Sequence, residues 1–160
     1  MVEEPDPDET LAELGQALAA MVSAVVPAWV RRCVDSRLAP STPDRGAVMA
    51  QAEAAALGAQ RDVTAKLEVL LSADVDGQRS TPLAVVRSAV SYPTEVLRRA
   101  QVPPVPRDAF VTGRFPDDPY GLTPASLQAM DPALGDVAIA WGAAKALAHR
   151  RRHAGPSQFT

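Results

Sequence analysis

Two histidines, one cysteine and one pair of adjacent aspartates are the residues whose types and spacing could support chemistry. His149 and His153 are four residues apart, and this spacing on a helix puts both rings on one face, where they could hold a metal ion. Three arginines, Arg150 to Arg152, lie between them and would repel a divalent cation, and no acidic or cysteine ligand adjoins them. We therefore expect no metal site.

The remaining candidates for catalysis have simpler structural explanations. Paired acid–base carboxylates come from separate segments that face each other, whereas Asp117 and Asp118 are adjacent between two prolines and are expected to bond local amides. Cys33 would need His149 or His153 as its base, but it falls on the apolar face of a predicted helix, where a thiol packs inertly. No phosphate-binding glycine motif and no G-x-S-x-G motif is present. We predict no catalytic residue, no cofactor and no enzymatic activity.

Composition narrows the fold class. The 160 residues suit one domain, and the apolar share of 47% excludes a wholly disordered chain. One cysteine excludes an intramolecular disulfide framework, and the net charge of −3 argues against a general nucleic-acid coat. Alanine supplies 30 of the apolar residues, and it favours closely packed helices over a thick aromatic core. Arginine outnumbers lysine 14 to 2, which is typical of a GC-rich genome. We predict an all-α protein.

The first 73 residues show the pattern of a long antiparallel helical hairpin. Thr10 and Glu13 match a capping box, so a first helix is expected from Thr10 to about Leu38, kinked at Pro27. Thr42 and Pro43 then resemble the cap and first residue of a second helix, which runs to about Ala73. The expected inner face of this helix is Val48, Ala52, Ala55, Ala59, Val63, Leu67 and Leu70.

One part of the second helix fits two structures. Residues 63–71 also alternate between apolar and polar side chains, as a strand does. Helix is favoured because no second strand is available to pair with this one.

Three shorter helices and a proline-rich irregular segment follow. Thr81-Pro82, Thr123-Pro124 and Asp131-Pro132 each resemble a helix start, and Tyr92-Pro93 is expected to break or kink the first of these helices. A turn is predicted at residues 74–77. Residues 101–121 are expected to wrap the helices irregularly and to fill gaps between them with Phe110, Phe115 and Tyr120. A stiff polyproline connector is expected at residues 103–106.

The chain is expected to form a single helical domain over residues 10–153. A disordered acidic segment, residues 1–9, precedes it and a flexible tail, residues 154–160, follows.

The first 80 residues carry a net charge of −6 and the last 80 a net charge of +3. Acidic residues concentrate at one end of the chain and arginines at the other, so either both ends are solvated or they meet.

The most apolar stretch, residues 14–30, is expected to be a core helix and not a membrane span, because it contains much alanine and a proline. The acidic N-terminal residues lack the positive region of a secretory signal. A lone Cys33 fits a reducing cytoplasm. The prediction is a cytoplasmic protein without membrane contact.

Several stretches resemble a family of small helical proteins from GC-rich actinobacteria to which no activity is assigned. They are residues 75–83 (VDGQRSTPL), 92–97 (YPTEVL), 115–118 (FPDD) and 141–145 (WGAAK). The resemblance spans about residues 75–150. It implies a bacterial cytoplasmic origin, and it transfers no functional residues.

Two functions are compatible with these features of the sequence. The first is a non-enzymatic protein–protein interaction module, an adaptor or regulator that offers apolar side chains to a protein partner. Its candidate surface is Phe110, Phe115, Tyr120, Arg107 and Arg114. The alternative is a nucleic-acid- or transcription-associated factor with a local arginine patch. Its candidate phosphate contacts are Arg98, Arg99, Arg150, Arg151 and Arg152. A homodimer that buries the alanine-rich second helix is a further expectation.

Overall fold

The fold is seen in a computed structural model that describes residue 4, residues 6–72 and residues 80–154, with only the backbone described for residues 110–112. Every regular element in these ranges is a helix, which confirms the predicted all-α class. The helices are α1 (Pro7–Arg37), α2 (Arg45–Ser72), α3 (Pro82–Ser88), α4 (Ser91–Arg99), α5 (Ala109–Arg114), α6 (Leu127–Met130) and α7 (Pro132–Arg152).

Helix α1 begins three residues before the predicted start. The Asp6 carboxylate accepts a hydrogen bond from the Asp8 amide at 3.1 Å, and Pro7 is the first helical residue. Asp6 therefore caps the helix, with a negative charge at the positive end of the helix dipole. The predicted cap at Thr10 is wrong, and residues 7–9 are helical. Residues 1–3 and 5, the predicted turn at 74–77 and residues 155–160 of the predicted tail lie outside the described residues.

Helices α1 and α2 form the predicted antiparallel hairpin. Residues 63–71 are helical, which decides the helix-or-strand alternative. The inner face of α2 matches the sequence pattern, except that Ala56 is buried where Ala55 was expected. Its buried residues are Val48, Ala52, Ala56, Ala59, Val63, Leu67 and Leu70. Because three of these are alanines, α1 and α2 can approach closely over the first half of α2.

The turn between α1 and α2 does not use the predicted threonine–proline cap. The Thr42 hydroxyl donates to the Ala39 carbonyl at 2.7 Å and so closes a turn of its own. Asp44 then adopts a left-handed conformation with φ of 55°, and α2 begins at Arg45. The prediction failed because the Thr42 side chain is engaged with residues that precede it.

Helix α1 continues through Pro27 because a neighbouring side chain compensates for the missing backbone hydrogen bond. Proline has no N–H, so the Ser23 carbonyl four residues earlier loses its partner within the helix. The Gln60 Nε2 atom of α2 donates to that carbonyl at 2.8 Å, and the Thr64 hydroxyl donates to the Ser23 hydroxyl at 2.9 Å. The proline thus creates a specific polar contact between the two hairpin helices.

Two of the three predicted later helix starts are confirmed. The Thr81 hydroxyl accepts from the Ala84 amide at the start of α3, and the Asp131 carboxylate accepts from the Ala133 amide at the start of α7. The predicted start at Thr123-Pro124 is wrong, because the Thr123 hydroxyl bonds to Asp118 and Ser126 caps α6 instead.

The break between α3 and α4 falls at residues 89 and 90, slightly before the predicted Tyr92-Pro93. Pro93 lies in the first turn of α4, where a missing N–H costs no helical hydrogen bond. Helix α5 lies inside the segment predicted to be irregular. Its Phe110 side chain lies outside the described residues.

Helix α1 is the centre of the molecule. It packs against α2, α4 and α7, and its buried residues form the middle of the core. By length and composition alone, α1 could also cross a membrane, a test that core helices of soluble proteins pass as well.

Candidate functional site

The segment between α4 and α6 is held in place by polar side chains that bond its backbone. Asp118 is the main anchor and is only 4% exposed. One carboxylate oxygen accepts from the Leu122 amide at 2.8 Å, and the other accepts from the Thr123 amide and hydroxyl at 2.8 and 2.7 Å. The expectation that this aspartate bonds local amides is correct.

The same contacts determine how Asp118 ionises. Burial alone would raise the pKa of its carboxyl group. The hydrogen bonds from Leu122 and Thr123 and the positive charge of Arg107 outweigh burial, and they lower the pKa below its ordinary value of 3.8. Asp118 is therefore an ionised, fully bonded structural carboxylate at neutral pH.

Tyr120 is a core residue, which corrects its assignment to an exposed interaction surface. Its side chain is almost fully buried, and its hydroxyl donates to the Val102 carbonyl at 2.7 Å. Burial raises the pKa of this hydroxyl, although nearby Arg98 opposes the effect. Arg37 at the end of α1 donates to the Tyr120 carbonyl at 3.0 Å. Tyr120 therefore fastens the segment to the helices and is not accessible to a partner.

Phe115 contacts two arginines, Arg87 and Arg114, at the surface. Its ring centroid is 5.3 Å from the guanidinium carbon of Arg114 and 5.9 Å from that of Arg87. Both separations are within the range of a cation–π contact. Arg107 donates to the Phe115 carbonyl at 3.2 Å and so fixes the backbone beneath the ring. The half-buried ring is thus held in position while part of it faces solvent.

Phe115, Arg87 and Arg114 line an open cleft of about 450 Å³ between the α3–α4 break and the loop that follows α5. Its lining consists of Arg87, Ser88, Val90, Ser91, Arg114, Phe115, Pro116, Asp117, Asp118 and Thr123. Arg87 is anchored by donating to the Pro124 and Ala125 carbonyls at 3.1 and 3.3 Å. A guanidinium has five N–H donors, so Arg87 retains donors for a ligand. We call this site the arginine–phenylalanine cleft.

Of the predicted interaction surface, Arg114 and Phe115 line the cleft. Arg107 was expected on the same surface, and it bonds the Phe115 carbonyl without lining the cleft. Arg87 was missed because it lies on α3, away from the proline-rich segment. The only signal for it in the sequence is a basic residue in the last turn of a short helix.

The arginines predicted to contact phosphate are divided between two distant places. Arg151 and Arg152 lie beside Asp6 and Asp8 at the start of α1, at 3.1 and 3.9 Å, so the two oppositely charged ends of the chain meet. Arg98 lies near Tyr120, which is bonded to the other end of α1. A helix of 31 residues is about 45 Å long. Arg98 and Arg99 therefore form no common patch with Arg150, Arg151 and Arg152.

The other candidate chemical groups are a buried thiol and a pair of neighbouring histidines at the end of α7. Cys33 is buried, and burial raises the pKa of its thiol to about 12, so it is not a thiolate at neutral pH. The rings of His149 and His153, at the end of α7, are tilted by 49° with centroids 4.4 Å apart. In the part of the chain that the structure describes, no three histidine, cysteine, aspartate or glutamate side chains gather where a metal ion could bind.

Comparison with known proteins gives no match, whether with family models, with curated proteins or with solved structures.

Proposed function

We propose that this chain is a non-enzymatic protein–protein interaction module, an adaptor or regulator of the bacterial cytoplasm, and that the arginine–phenylalanine cleft binds an acidic segment of a partner protein. The observation that carries the proposal is the half-buried Phe115 ring in the cleft with the guanidinium groups of both Arg87 and Arg114 within about 6 Å of its centroid.

The residue types support recognition of a protein. Arginine and aromatic side chains supply much of the binding energy at protein interfaces, because each combines a large apolar area with directed polar contacts. A carboxylate can accept two parallel N–H bonds from one guanidinium. Arg114 is exposed, and no hydrogen bond of its guanidinium is recorded within the described chain.

Charge supports an acidic partner segment in particular. Asp118 is the buried carboxylate of the cleft, and its oxygens are already occupied by the backbone and hydroxyl of its own loop. The donors left to a ligand are the two guanidiniums, because the Ser88 and Ser91 hydroxyls already donate to the Val85 and Ser88 carbonyls. The exposed Asp117 is the other carboxylate of the cleft. An acidic side chain placed between Arg87 and Arg114 would form charge-assisted hydrogen bonds while apolar atoms beside it cover Phe115.

The non-enzymatic part of the proposal is supported by the state of the reactive groups. Cys33 is a buried, protonated thiol and Asp118 is a bonded carboxylate, so neither is available as a nucleophile or base. A cytoplasmic location is supported by the same free cysteine, since reduced thiols are typical of that compartment.

Purification of the tagged chain from a GC-rich actinobacterial cell, with and without nuclease, tests the proposal. The variant Arg114→Glu reverses one charge of the cleft, and Arg61→Glu makes the same change at an exposed position of α2 outside it. We expect one protein to be retained by the wild type and by Arg61→Glu, to be lost with Arg114→Glu and to survive nuclease.

Two results would contradict the proposal. A partner that disappears with nuclease would favour the nucleic-acid alternative, whose binding also weakens steeply with salt. Equal retention of every protein by Arg114→Glu and Arg61→Glu would mean that the cleft is not the binding site. A circular dichroism melt of each variant establishes that both remain folded.

A further inference from the structure

Helix α7 has an exposed apolar face that covers no other part of the described chain. Ile139 is 71% exposed and Leu147 is 49% exposed, although both belong to an otherwise well-packed helix. Ala140, Ala143 and Ala146 are exposed on the same side. The opposite side of α7, which includes Leu134, Trp141 and Ala148, is buried. Lys145 lies over the Trp141 ring at 5.1 Å, which keeps its charge off the apolar face.

Charged residues mark both ends of this face. Residues three, four and seven positions from Ala143 share its side of the helix, and the residues seven positions away are Asp136 and Arg150. Both are exposed, and neither has a recorded ion pair within the described residues. Arg151, the neighbour of Arg150, is by contrast paired with Asp6.

The pattern is symmetric about Ala143. Ile139 and Leu147 lie four residues on either side of it, Ala140 and Ala146 three residues, and the oppositely charged Asp136 and Arg150 seven residues. A second α7 can be laid antiparallel on the first, with Ala143 of both copies on the two-fold axis. Each residue is then level with the residue of the other copy that lies equally far on the opposite side of Ala143. Ile139 then meets Leu147 of the other copy, and Asp136 meets Arg150. An interface between identical chains requires this self-complementarity.

We propose that the outer face of α7 binds a second copy of this chain, as an antiparallel helix pair centred on Ala143.

Side-chain size suits such a pair. Ile139, Ala143 and Leu147 are four residues apart and form one ridge, which can pack into the groove of an equivalent helix. Alanine at the crossing point allows the two backbones to approach closely. Ile139 and Gly142 also line an apolar cleft of about 310 Å³ between α7, α6 and the start of α3. A second copy would therefore cover the margin of this cleft together with the helix face.

The predicted homodimer thus forms at a different helix from the one that the sequence indicated. The alanines on the inner face of α2, which are Ala52, Ala56 and Ala59, are buried inside one chain and are not free for a dimer. A single helix pair buries less area than a standard interface of about 1,600 Å². We accordingly expect a weak dimer whose mass depends on protein concentration.

Sedimentation equilibrium on charge variants is the first test, with protein from about 1 µM to about 1 mM. The single changes Asp136→Arg and Arg150→Asp each place like charges together at both ends of the helix pair. We expect each to raise the dimer Kd at least about tenfold. The double change Asp136→Arg with Arg150→Asp restores the pairing and is expected to recover wild-type affinity, while Arg61→Glu leaves it unchanged.

Cysteine cross-linking then tests the axis. In the proposed pair, Cys at position 143 (Ala143→Cys) faces its own copy and should form a disulfide on mild oxidation. Position 140 is displaced from its own copy by about 9 Å along the helices, beyond the reach of a disulfide, so Ala140→Cys should not cross-link. Buried Cys33 is present in both variants and does not interfere.

Three outcomes would overturn the proposal. One is a wild-type chain that is monomeric over the whole concentration range. Another is a double charge variant that dimerises no better than the single ones. The third is equal cross-linking of Ala143→Cys and Ala140→Cys, which would show random encounters and not a defined axis.

Discussion

The α1–α2 hairpin and the segment from Gln101 to Asp131 keep their backbones hydrogen-bonded in different ways. In the hairpin, each helix satisfies its own backbone, so contact between α1 and α2 depends mainly on close-packed alanine, valine and leucine side chains. The segment has little regular structure, so many of its backbone groups have no neighbour in a helix.

Polar side chains supply the missing partners in the segment. Arg32, Arg37, Arg87 and Arg107 donate to its carbonyls, and Asp118 accepts from its amides. Arginine is therefore a structural residue of this protein, whatever the genomic composition that favours it. The comparison implies that the hairpin is sensitive to changes in side-chain volume and the segment to changes in side-chain polarity.

The largest expected loss of stability comes from reducing the volume of a buried side chain in the hairpin. Leu67 is fully buried on α2, and Leu67→Ala removes apolar atoms and leaves a cavity that the rigid helix pair cannot close. We expect the free energy of unfolding to fall by about 3 kcal/mol, as measured by urea denaturation. The exposed Val69→Ala serves as the control and should change stability by less than about 0.5 kcal/mol.

The next largest loss of stability is expected from removing a polar side-chain contact in the segment. Asp118→Asn turns an amide donor towards the Leu122 or Thr123 backbone N–H, and we expect a loss of about 2 kcal/mol. The neighbouring Asp117→Asn should have little effect, since Asp117 is exposed. If Asp118→Asn were as mild as Asp117→Asn, the segment would be held by packing and the contrast with the hairpin would fail.

The same substitution predicts a pH dependence. The folded-state pKa of Asp118 is below its ordinary value of 3.8, so its ionised form stabilises the fold. That contribution is fully present above the ordinary value and is lost as the pH falls through the lower, folded-state value. Thermal melts between neutral and acid pH should therefore show a weaker acid destabilisation in Asp118→Asn than in the wild type.

A smaller loss of stability is expected at the one place in the described hairpin where a side chain, Gln60, bonds a backbone carbonyl that Pro27 leaves free. Gln60→Ala leaves the Ser23 carbonyl without its donor and should cost about 1 kcal/mol. In a Pro27→Ala background, the restored backbone N–H can bond that carbonyl, so the Gln60→Ala cost should shrink. A double-mutant cycle measures the difference. Strictly additive costs would mean that Gln60 does not compensate for the proline.

The smallest effect is expected from the exposed ion pair of the hairpin. Arg31 makes two hydrogen bonds with Glu53 across α1 and α2, at 2.7 and 3.0 Å, but both side chains are about half exposed. Arg31→Ala should cost about 0.5 kcal/mol or less in the same denaturation assay. Arg37→Ala, which removes the contact to the Tyr120 carbonyl, should cost more, and the reverse order would contradict the comparison.

The two regions also differ in how well sequence predicts them. In the hairpin, periodic apolar residues predict both helices and the buried face of α2, because burial on that face repeats with the helical turn. On α1 the pattern misses buried positions such as Val26, Val30 and Val34, because this helix packs against α2, α4 and α7 and not against one neighbour. Helix starts are predicted less well. Thr81 and Asp131 cap helices as expected, whereas the Thr42 and Thr123 hydroxyls bond Ala39 and Asp118 instead. A threonine–proline pair starts a helix only when its hydroxyl has no better partner, and that depends on the fold.

The arginine–phenylalanine cleft was predictable only in part for the same reason. Local sequence associates Phe115 with Arg114 and Arg107, but Arg87 joins them through the packing of α3 against the segment. For Tyr120 the sequence allowed two roles, filling a gap between helices or facing a partner. The buried ring and the hydrogen bond from its hydroxyl to the Val102 carbonyl decide for the first.

The buried thiol on α1 has a practical consequence for following motions of this protein. Cys33 lies on the central helix, and in the closed structure it is shielded and protonated. A thiol reagent can react with it only after α1 separates from its neighbours, so the labelling rate reports the free energy of that opening. The native chain therefore carries a single-site chemical probe of its own core, and no label has to be introduced to time the opening.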